Sequence, residues 1–309
     1  MSKLIYDIGG TNTKFAVMTE DGQILLRKKI PTPRESLEAY LNGLVSLAED
    51  CLEGADGVGI STNGRMDAEG DTYRAYTMDF LTGINIKKEM EARLHLPVVV
   101  ENDGEAAAIG EWWKGAGQGT KTMMCFVMGS GMGGGMIIDG KPFRGSKRNG
   151  TMVFGQHSVI DPENGRFIIS GLESSFSFTL FKASAAMQIP MQEMTGERFF
   201  EMVEEGNPVA LHLLKGLCMN TAVPIFNSAL LIDPERIVVT GGLCEQPKLI
   251  QGIQDALKEI AEKSMFYQGM DLRVFEGIGF APEDFSITIT KGELALDANL
   301  YGALYLATH

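Results

Sequence analysis

The chain has 309 residues, 44% hydrophobic and 22% charged, a composition suited to about two globular domains of ordinary size with ample core to bury. Its formal net charge of −13 opposes nucleic-acid binding, which depends on Lys and Arg neutralising phosphates, and short pairs such as Lys28-Lys29 and Lys147-Arg148 do not reverse it. The expected location is the cytoplasm: Met1-Ser2-Lys3 leads straight into a strand with no signal-type apolar core, no run reads as a membrane span, and Cys51, Cys125, Cys218 and Cys244 are scattered among apolar residues as buried thiols.

Three strands are predicted between residues 3 and 31. An amphipathic helix then runs from Ser36 to about Cys51, with Leu37, Tyr40, Leu41, Leu44, Val45 and Leu47 on its apolar face. Gly57 to Ser61 reads as a short buried strand. A helix from about Ile86 to His95, a strand from Pro97 to Val100 and a helix from Gly104 to Trp113 follow. The unbroken apolar run of that last strand suits a parallel sheet covered on both faces. Lys114 to Gly119, rich in glycine, reads as a hinge and places a domain boundary near residue 115. The pattern restarts near Thr122. A helical insertion covers about 170 to 231, then come a strand at Arg236 to Thr240, a helix at Pro247 to Lys263, a strand at Phe285 to Thr290 and a last helix at about Glu293 to Leu306.

Two segments carry the chemistry. Leu4 to Val17 is a strand with Asp7 near its end, the small-residue turn Gly9-Gly10-Thr11-Asn12 and a second strand, closed by Asp21-Gly22. Backbone N–H groups of Gly9, Gly10 and Thr11 can face an anion, Asp7 can hold Mg²⁺ through water, and Lys14 can add positive charge, so the pattern suits a metal-bound polyphosphate. Cys125 to Lys141 repeats the form, with Gly129, Ser130 and Gly131 in the turn and Asp139-Gly140 closing the hairpin. Two such hairpins imply two related domains facing one nucleotide. Gly129, Gly131 and Gly134 also fit the dinucleotide pattern G-x-G-x-x-G, but Met136-Ile137-Ile138 reads as a strand where that fingerprint opens a helix, and no acidic residue stands about 20 positions on.

Asp103 begins a helix at the carboxyl end of a strand. One reading is an N-cap, for which Asp and Asn are both preferred. The other is a general base, since open α/β sheets bind ligands at the carboxyl ends of their strands and a helix N-terminus favours an ionised carboxylate.

D-I-G-G-T from Asp7, Glu101-Asn102-Asp103 before an Ala-rich helix, G-S-G-M-G-G-G from Gly129 and Val238-Val239-Thr240-Gly241-Gly242 together resemble the ROK family of sugar kinases, repressors and relatives, over essentially the whole chain. The resemblance implies an α/β fold of two ribonuclease-H-like domains, as in the actin, hexokinase and Hsp70 superfamily, with a cleft between them. Residues 1–115 would form the first domain, joined by the helix at 293–309 packing back, and 116–292 the second with its helical insertion. The implied function is ATP-dependent phosphorylation of a hydroxyl on a hexose or related carbohydrate, with Mg²⁺. Asp103 would be the base. Asp7, Gly9, Gly10, Thr11, Asn12, Lys14, Gly129, Ser130 and Gly131 would serve the phosphates and metal, and Gly241 and Gly242 the adenosine. Gly64, Thr77, Asn102, Asp103, His157 and Glu173 would face the sugar. A homodimer is compatible with the resemblance, whereas nucleic-acid and membrane partners are not expected. The family's repressors need a DNA-binding element before the first strand, and only six residues precede Asp7.

The sequence also departs from the family. Phe154-Gly155-Gln156-His157 stands in place of E-x-G-H, with neither Met152 nor Val153 able to supply the missing carboxylate. Gly165 to Glu173 occupies the place of the cysteine-rich zinc loop without a cysteine, so no zinc is expected. These losses admit the alternative of a carbohydrate-binding or sugar-responsive relative that has given up catalysis. Met187, Met191, Met194 and Met202 read as adaptable packing in the helical insertion.

Overall fold

The computed structural model describes residues 1–67, 69–74, 78–145, 158–160, 167–263 and 287–309. Five strands build the first sheet: β1 (Ser2–Ile8), β2 (Asn12–Thr19), β3 (Ile24–Pro31), β4 (Ala55–Thr62) and β7 (Val98–Asn102), in the order β3-β2-β1-β4-β7. Between β4 and β7 a two-stranded ribbon pairs β5 (Arg65–Met66) with β6 (Thr72–Arg74). The first three strands pair antiparallel and β1, β4 and β7 pair parallel.

Strand periodicity gives this sheet two buried faces. Leu4, Tyr6, Ile8, Phe15 and Val17 point into a core shared with Tyr40, Leu41 and Leu44 of helix α1 (Leu37–Ala48) and Ile86 and Met90 of α2 (Ile86–Leu94). The intervening Ile5, Ala16 and Met18 pack with Leu300, Ala303 and Leu304. Ser36 caps α1 by accepting from the Ala39 N–H at 3.1 Å, and Asn85 caps α2.

Helix α3 spans Asp103–Lys114. The second sheet has the order β10-β9-β8-β13-β14, formed by β8 (Met123–Met128), β9 (Met132–Ile138), β10 (Lys141–Phe143), β13 (Arg236–Thr240) and β14 (Thr290–Lys291). Its strand order repeats that of the first sheet position for position, with β9 and β10 antiparallel and β13 and β14 parallel. Asp139 (φ 53°) and Gly140 (φ 69°) make the expected tight hairpin turn. Between the halves of this sheet lie the ribbon β11 (Ser158–Ile160) with β12 (Phe167–Ile169), and helices α4 (Ser170–Glu173), α5 (Phe176–Met187), α6 (Gly196–Glu204), α7 (Pro208–Ile232) and α8 (Pro247–Lys263). The last helix is α9 (Ala298–Thr308).

By contact density the chain divides into two compact units: Met1–Cys125 with Gly133–Thr151 and Gly292–His309, and Phe126–Met132 with Met152–Lys291. Within the first, α9 lies on α3, β1 and β4 with backbones nearly touching. A methyl group added at Gly59, Gly110 or Gly302 would overlap the carbonyls of Ala303, Ala298 and Ala106. The segment after α3 is a tied turn, not an open linker. The Glu111 carboxylate, fully buried, accepts from the N–H groups of Ala116 at 3.1 Å, Glu293 at 3.0 Å and Leu294 at 3.1 Å.

Within the second unit, α7 revises one reading of the sequence: its 25 residues are long and apolar enough to cross a membrane by length and composition. It carries Pro224 in its interior, and its buried Leu214, Leu217, Cys218 and Ile225 belong to a helix that packs with α5, α6 and α8. Cys125, Cys218 and Cys244 are buried thiols, and burial pushes the Cys218 thiol up to about 12.

Candidate active site

In the first unit, β1 delivers Asp7 to the end of the sheet, where its carboxylate is almost covered. Both oxygens are engaged. Lys14 Nζ donates to Oδ2 at 2.8 Å and Asn299 Nδ2 donates to Oδ1 at 2.9 Å. Lys14, opposite Asp7 in the β1–β2 register, also donates to the Leu296 carbonyl at 2.7 Å. The lysine assigned from sequence to the phosphates is therefore the counter-ion of Asp7 in this structure.

The following turn is built from inside. Gly9 N–H donates to the Asn12 carbonyl at 3.0 Å, Thr32 Oγ1 donates to the Gly9 carbonyl at 2.7 Å, and Thr32 Oγ1 lies 2.9 Å from Thr13 Oγ1. Gly9 and Asn12 thus shape the turn, and Gly10 and Thr11 remain as its candidate anion donors. The turn after β8 follows the same rule, with Gly129 N–H donating to the Gly131 carbonyl at 2.9 Å.

The glycine run of that second turn divides by role. A methyl group at Gly129 or Gly131 would meet no atom within 4 Å among the described residues, leaving open ground for a ligand. Further on, the run is packing. A methyl at Gly104 would stand 2.6 Å from Gly134 N, and one at Gly135 would stand 2.7 Å from Ala108 Cβ, so β9 lies directly on the first turns of α3. The chain enters a strand after these glycines, not a helix, which removes the dinucleotide reading.

Asp103 is the first residue of α3, and its expected capping role falls to its neighbour. Asn102 Oδ1 accepts from the N–H groups of Gly104 at 2.8 Å and Glu105 at 3.3 Å, while its Nδ2 donates to the Gly64 carbonyl at 2.9 Å. Asn wins the cap because it holds the last extended position of β7 (φ −61°, ψ 144°), the backbone an N-cap requires. Gly64, at φ 123°, turns its carbonyl toward that amide.

The Asp103 carboxyl keeps some exposed surface but is closely enclosed by protein. Desolvation pushes its pKa up to about 6. The Gly104 N–H and the Asn63 side chain, which both donate to it, pull the value down, and the nearby Asp7 charge raises it further.

Beside Asp103 stand two carboxylates that the motif reading passed over. Glu101 and Glu105 are buried, and Arg144, just after β10, pairs with both: Nη2 and Nε lie 2.7 and 2.9 Å from Glu101 Oε2, and Nε lies 3.7 Å from Glu105 Oε2. Acidic residues flanking Asp103 at i−2 and i+2 were visible in the sequence, but nothing local tied them to an arginine about forty positions away.

In the second unit, the Ser130 carbonyl accepts from Ser175 Oγ at 2.6 Å and from the Ser177 N–H at 3.2 Å, which fixes the turn to the start of α5. Gly241 (φ 104°) is forced by close approach, since a methyl there would stand 2.4 Å from the Met128 carbonyl oxygen; Gly242 opens a short 3₁₀ turn. Glu173 ends α4 and pairs with Lys182 at 2.7 Å. Thr77 and His157 lie outside the described residues, as does Phe154. Among the described residues no group of three or more His, Cys, Asp or Glu side chains could hold a metal ion.

A profile of the ROK family matches residues 5–274. The chain belongs to the ROK family. Among its relatives, a glucokinase of Streptomyces coelicolor is 30% identical over 266 residues, covering 79% of this chain and 83% of the relative. A beta-glucoside kinase of Listeria innocua is 27% identical over 274 residues, covering 83% and 90%. The crystal structure of a ROK glucokinase from Streptomyces griseus in complex with glucose and AMPPNP superposes with a TM-score of 0.79 at 27% identity, covering 99% of each chain. The two five-stranded mixed sheets are those of ROK kinase structures with the actin-like ATPase fold.

Proposed function

We propose that this ROK protein is an ATP-dependent carbohydrate kinase that transfers the γ-phosphoryl group to a hydroxyl of a hexose or related sugar, with Asp103 as general base. The observation that carries this reading is the state of Asp103. It is a carboxyl at the carboxyl end of β7, enclosed enough to shift its pKa to about 6, yet ionised near neutral pH and therefore matched to accepting a hydroxyl proton. The named activities of the relatives, glucokinase and beta-glucoside kinase, support the same class.

Asp7 suits a hydrated Mg²⁺. An ionised carboxylate offers about four lone-pair sites, and Lys14 and Asn299 occupy one on each oxygen, so the remaining sites can accept from metal-bound waters without displacing either partner. The bound metal would neutralise charge on the transferring phosphoryl group. Gly10 and Thr11 would donate to phosphate oxygens from one turn, Ser130 and Gly131 from the other, and Gly241 and Gly242 would lie along the adenosine. Asn102 and Gly64 hold the sugar-side turn to the helix that carries the base, with Thr77, His157 and Glu173 as further sugar contacts. Because phosphoryl transfer demands little covalent chemistry, positioning and charge stabilisation would supply most of the rate. No zinc enters this scheme, and the cytoplasm is the proposed setting.

The test is a screen of monosaccharides, amino sugars and disaccharides with ATP and Mg²⁺, read as ADP release and confirmed by mass of the phosphorylated product. Turnover on at least one sugar that vanishes in Asp103→Asn supports the reading. Absence of turnover across the panel favours the non-catalytic carbohydrate-binding alternative.

A further inference from the structure

We infer that Asn299, on the first turn of α9, is a positioning residue for the metal-side carboxylate Asp7; this rests on the kinase reading and adds to it a contribution from the far end of the sequence. Asn299 is separated from Asp7 by 292 positions, yet its Nδ2 donates to Oδ1 at 2.9 Å. On the other side Lys14 takes Oδ2 and also grips the Leu296 carbonyl, so the carboxylate is bracketed by an amide donor and an ammonium that are both fastened to the entry of α9. The bracket is rigid because α9 itself is docked backbone to backbone on α3 and β4, through Gly59, Gly110 and Gly302.

A carboxylate held only by Lys14 would be free to turn about its broad terminal torsion and settle as a simple ion pair. Its lone pairs would then no longer be presented in one fixed direction. With Asn299 on the opposite oxygen, the plane of the group is set before any metal arrives, and the acceptor sites left for metal-bound water point one way. Outer partners that orient a metal-side ligand are typically worth 10- to 100-fold in metal affinity. Asn299 is neutral, so it fixes the group without cancelling the charge that attracts the cation.

The experiment is calorimetric binding of AMPPNP to the full chain with and without Mg²⁺, on the wild type, Asn299→Ala, Asn299→Leu and the control Asp297→Asn. Asp297 pairs with Arg27 at 2.6 and 2.9 Å at the same helix entry without touching Asp7. The expected result is that Mg²⁺ tightens wild-type binding and that both Asn299 variants lose about 10-fold of that Mg²⁺-dependent increment while metal-free affinity stays within about twofold. The control should match the wild type. An unchanged increment in both Asn299 variants would overturn the inference and leave the kinase reading standing. Equal losses with and without metal, shared by Asp297→Asn, would overturn it in favour of simple loosening of α9. A wild type that binds no nucleotide in either condition would overturn both.

Discussion

Asn102 Nδ2 donates to the Gly64 carbonyl at 2.9 Å, so the residue that caps α3 also holds the turn after β4. One side chain thereby sets the start of the helix bearing Asp103 and the turn assigned to the sugar. This division of labour leaves Asp103 without a capping duty and makes its chemistry separable from its structure.

Asp103→Asn is therefore expected to fold normally and to lose at least about 10²-fold in kcat, because general-base catalysis is worth about that much and the cap is supplied by Asn102. Stopped-time assays of product with parallel thermal melts check this. Turnover near the wild-type level would remove Asp103 from the mechanism.

The pH dependence has a definite sign. Asp103 must be ionised to accept a proton, so kcat/KM, which reports the free enzyme, should rise with pH through about 6 and level off above it. Its folded pKa lies above the ordinary carboxyl value of 3.8, so the folded state binds the proton more tightly than the unfolded chain does. The stabilisation that protonated Asp103 provides below about pH 4 is lost as pH rises through about 6, at a cost of about 2–3 kcal/mol. Asp103→Asn should accordingly exceed the wild type in stability at pH 7.5 and approach it at pH 4, as read from denaturant midpoints.

Gly104 and Gly129 separate packing from ligand access. Gly104→Ala would drive a methyl against the backbone of Gly134 and is expected to destabilise by about 1–3 kcal/mol or more. Gly129→Ala has open space around it and should leave the melting temperature unchanged while weakening nucleotide binding. Equal effects of the two substitutions on stability would refute the division.

Arg144→Gln removes the cation that pairs with buried Glu101 and Glu105. Breaking a buried pair commonly costs about 3–5 kcal/mol; the partial exposure of Arg144 reduces the expected loss to about 1–3 kcal/mol. Denaturant midpoints of the wild type and the variant check this, and an unchanged midpoint would show that the pairing contributes nothing to stability.

Elemental analysis of the purified protein is expected to show no stoichiometric zinc, and strong chelator should leave the fold intact, because the family's cysteine ligands are missing from residues 165–173. About one zinc per chain with unfolding on chelation would contradict this.

The fold was legible because its strands and helices announce themselves locally. The alternation of Leu4, Tyr6 and Ile8 against Ile5 reads directly as a strand with two covered faces, and the boundaries of β13 and α8 fall where the residues placed them. The Glu101-Asn102-Asp103 segment was legible as a motif, but the competition between Asn102 and Asp103 for the cap depends on which residue keeps extended backbone angles, and composition does not encode that. The pairing of Lys14 with Asp7 was hidden for a related reason: it depends on the strand register that sets the two residues opposite each other. Asn299, Arg144 and Glu111 act through partners distant in sequence, and no spacing rule connects them to the sites they serve.

The docking of α9 has a consequence for how the molecule is made. Lys14 reaches a partner 282 positions away, and the face of β1 and β2 carrying Ile5, Ala16 and Met18 is closed by Leu300, Ala303 and Leu304. A ribosome releases the first strands long before it has polymerised the helix that covers them, so the nascent chain must carry an uncovered apolar surface through most of translation. Chaperone capture of arrested chains should accordingly be strong for stall points before residue 298 and should weaken once α9 has cleared the exit tunnel.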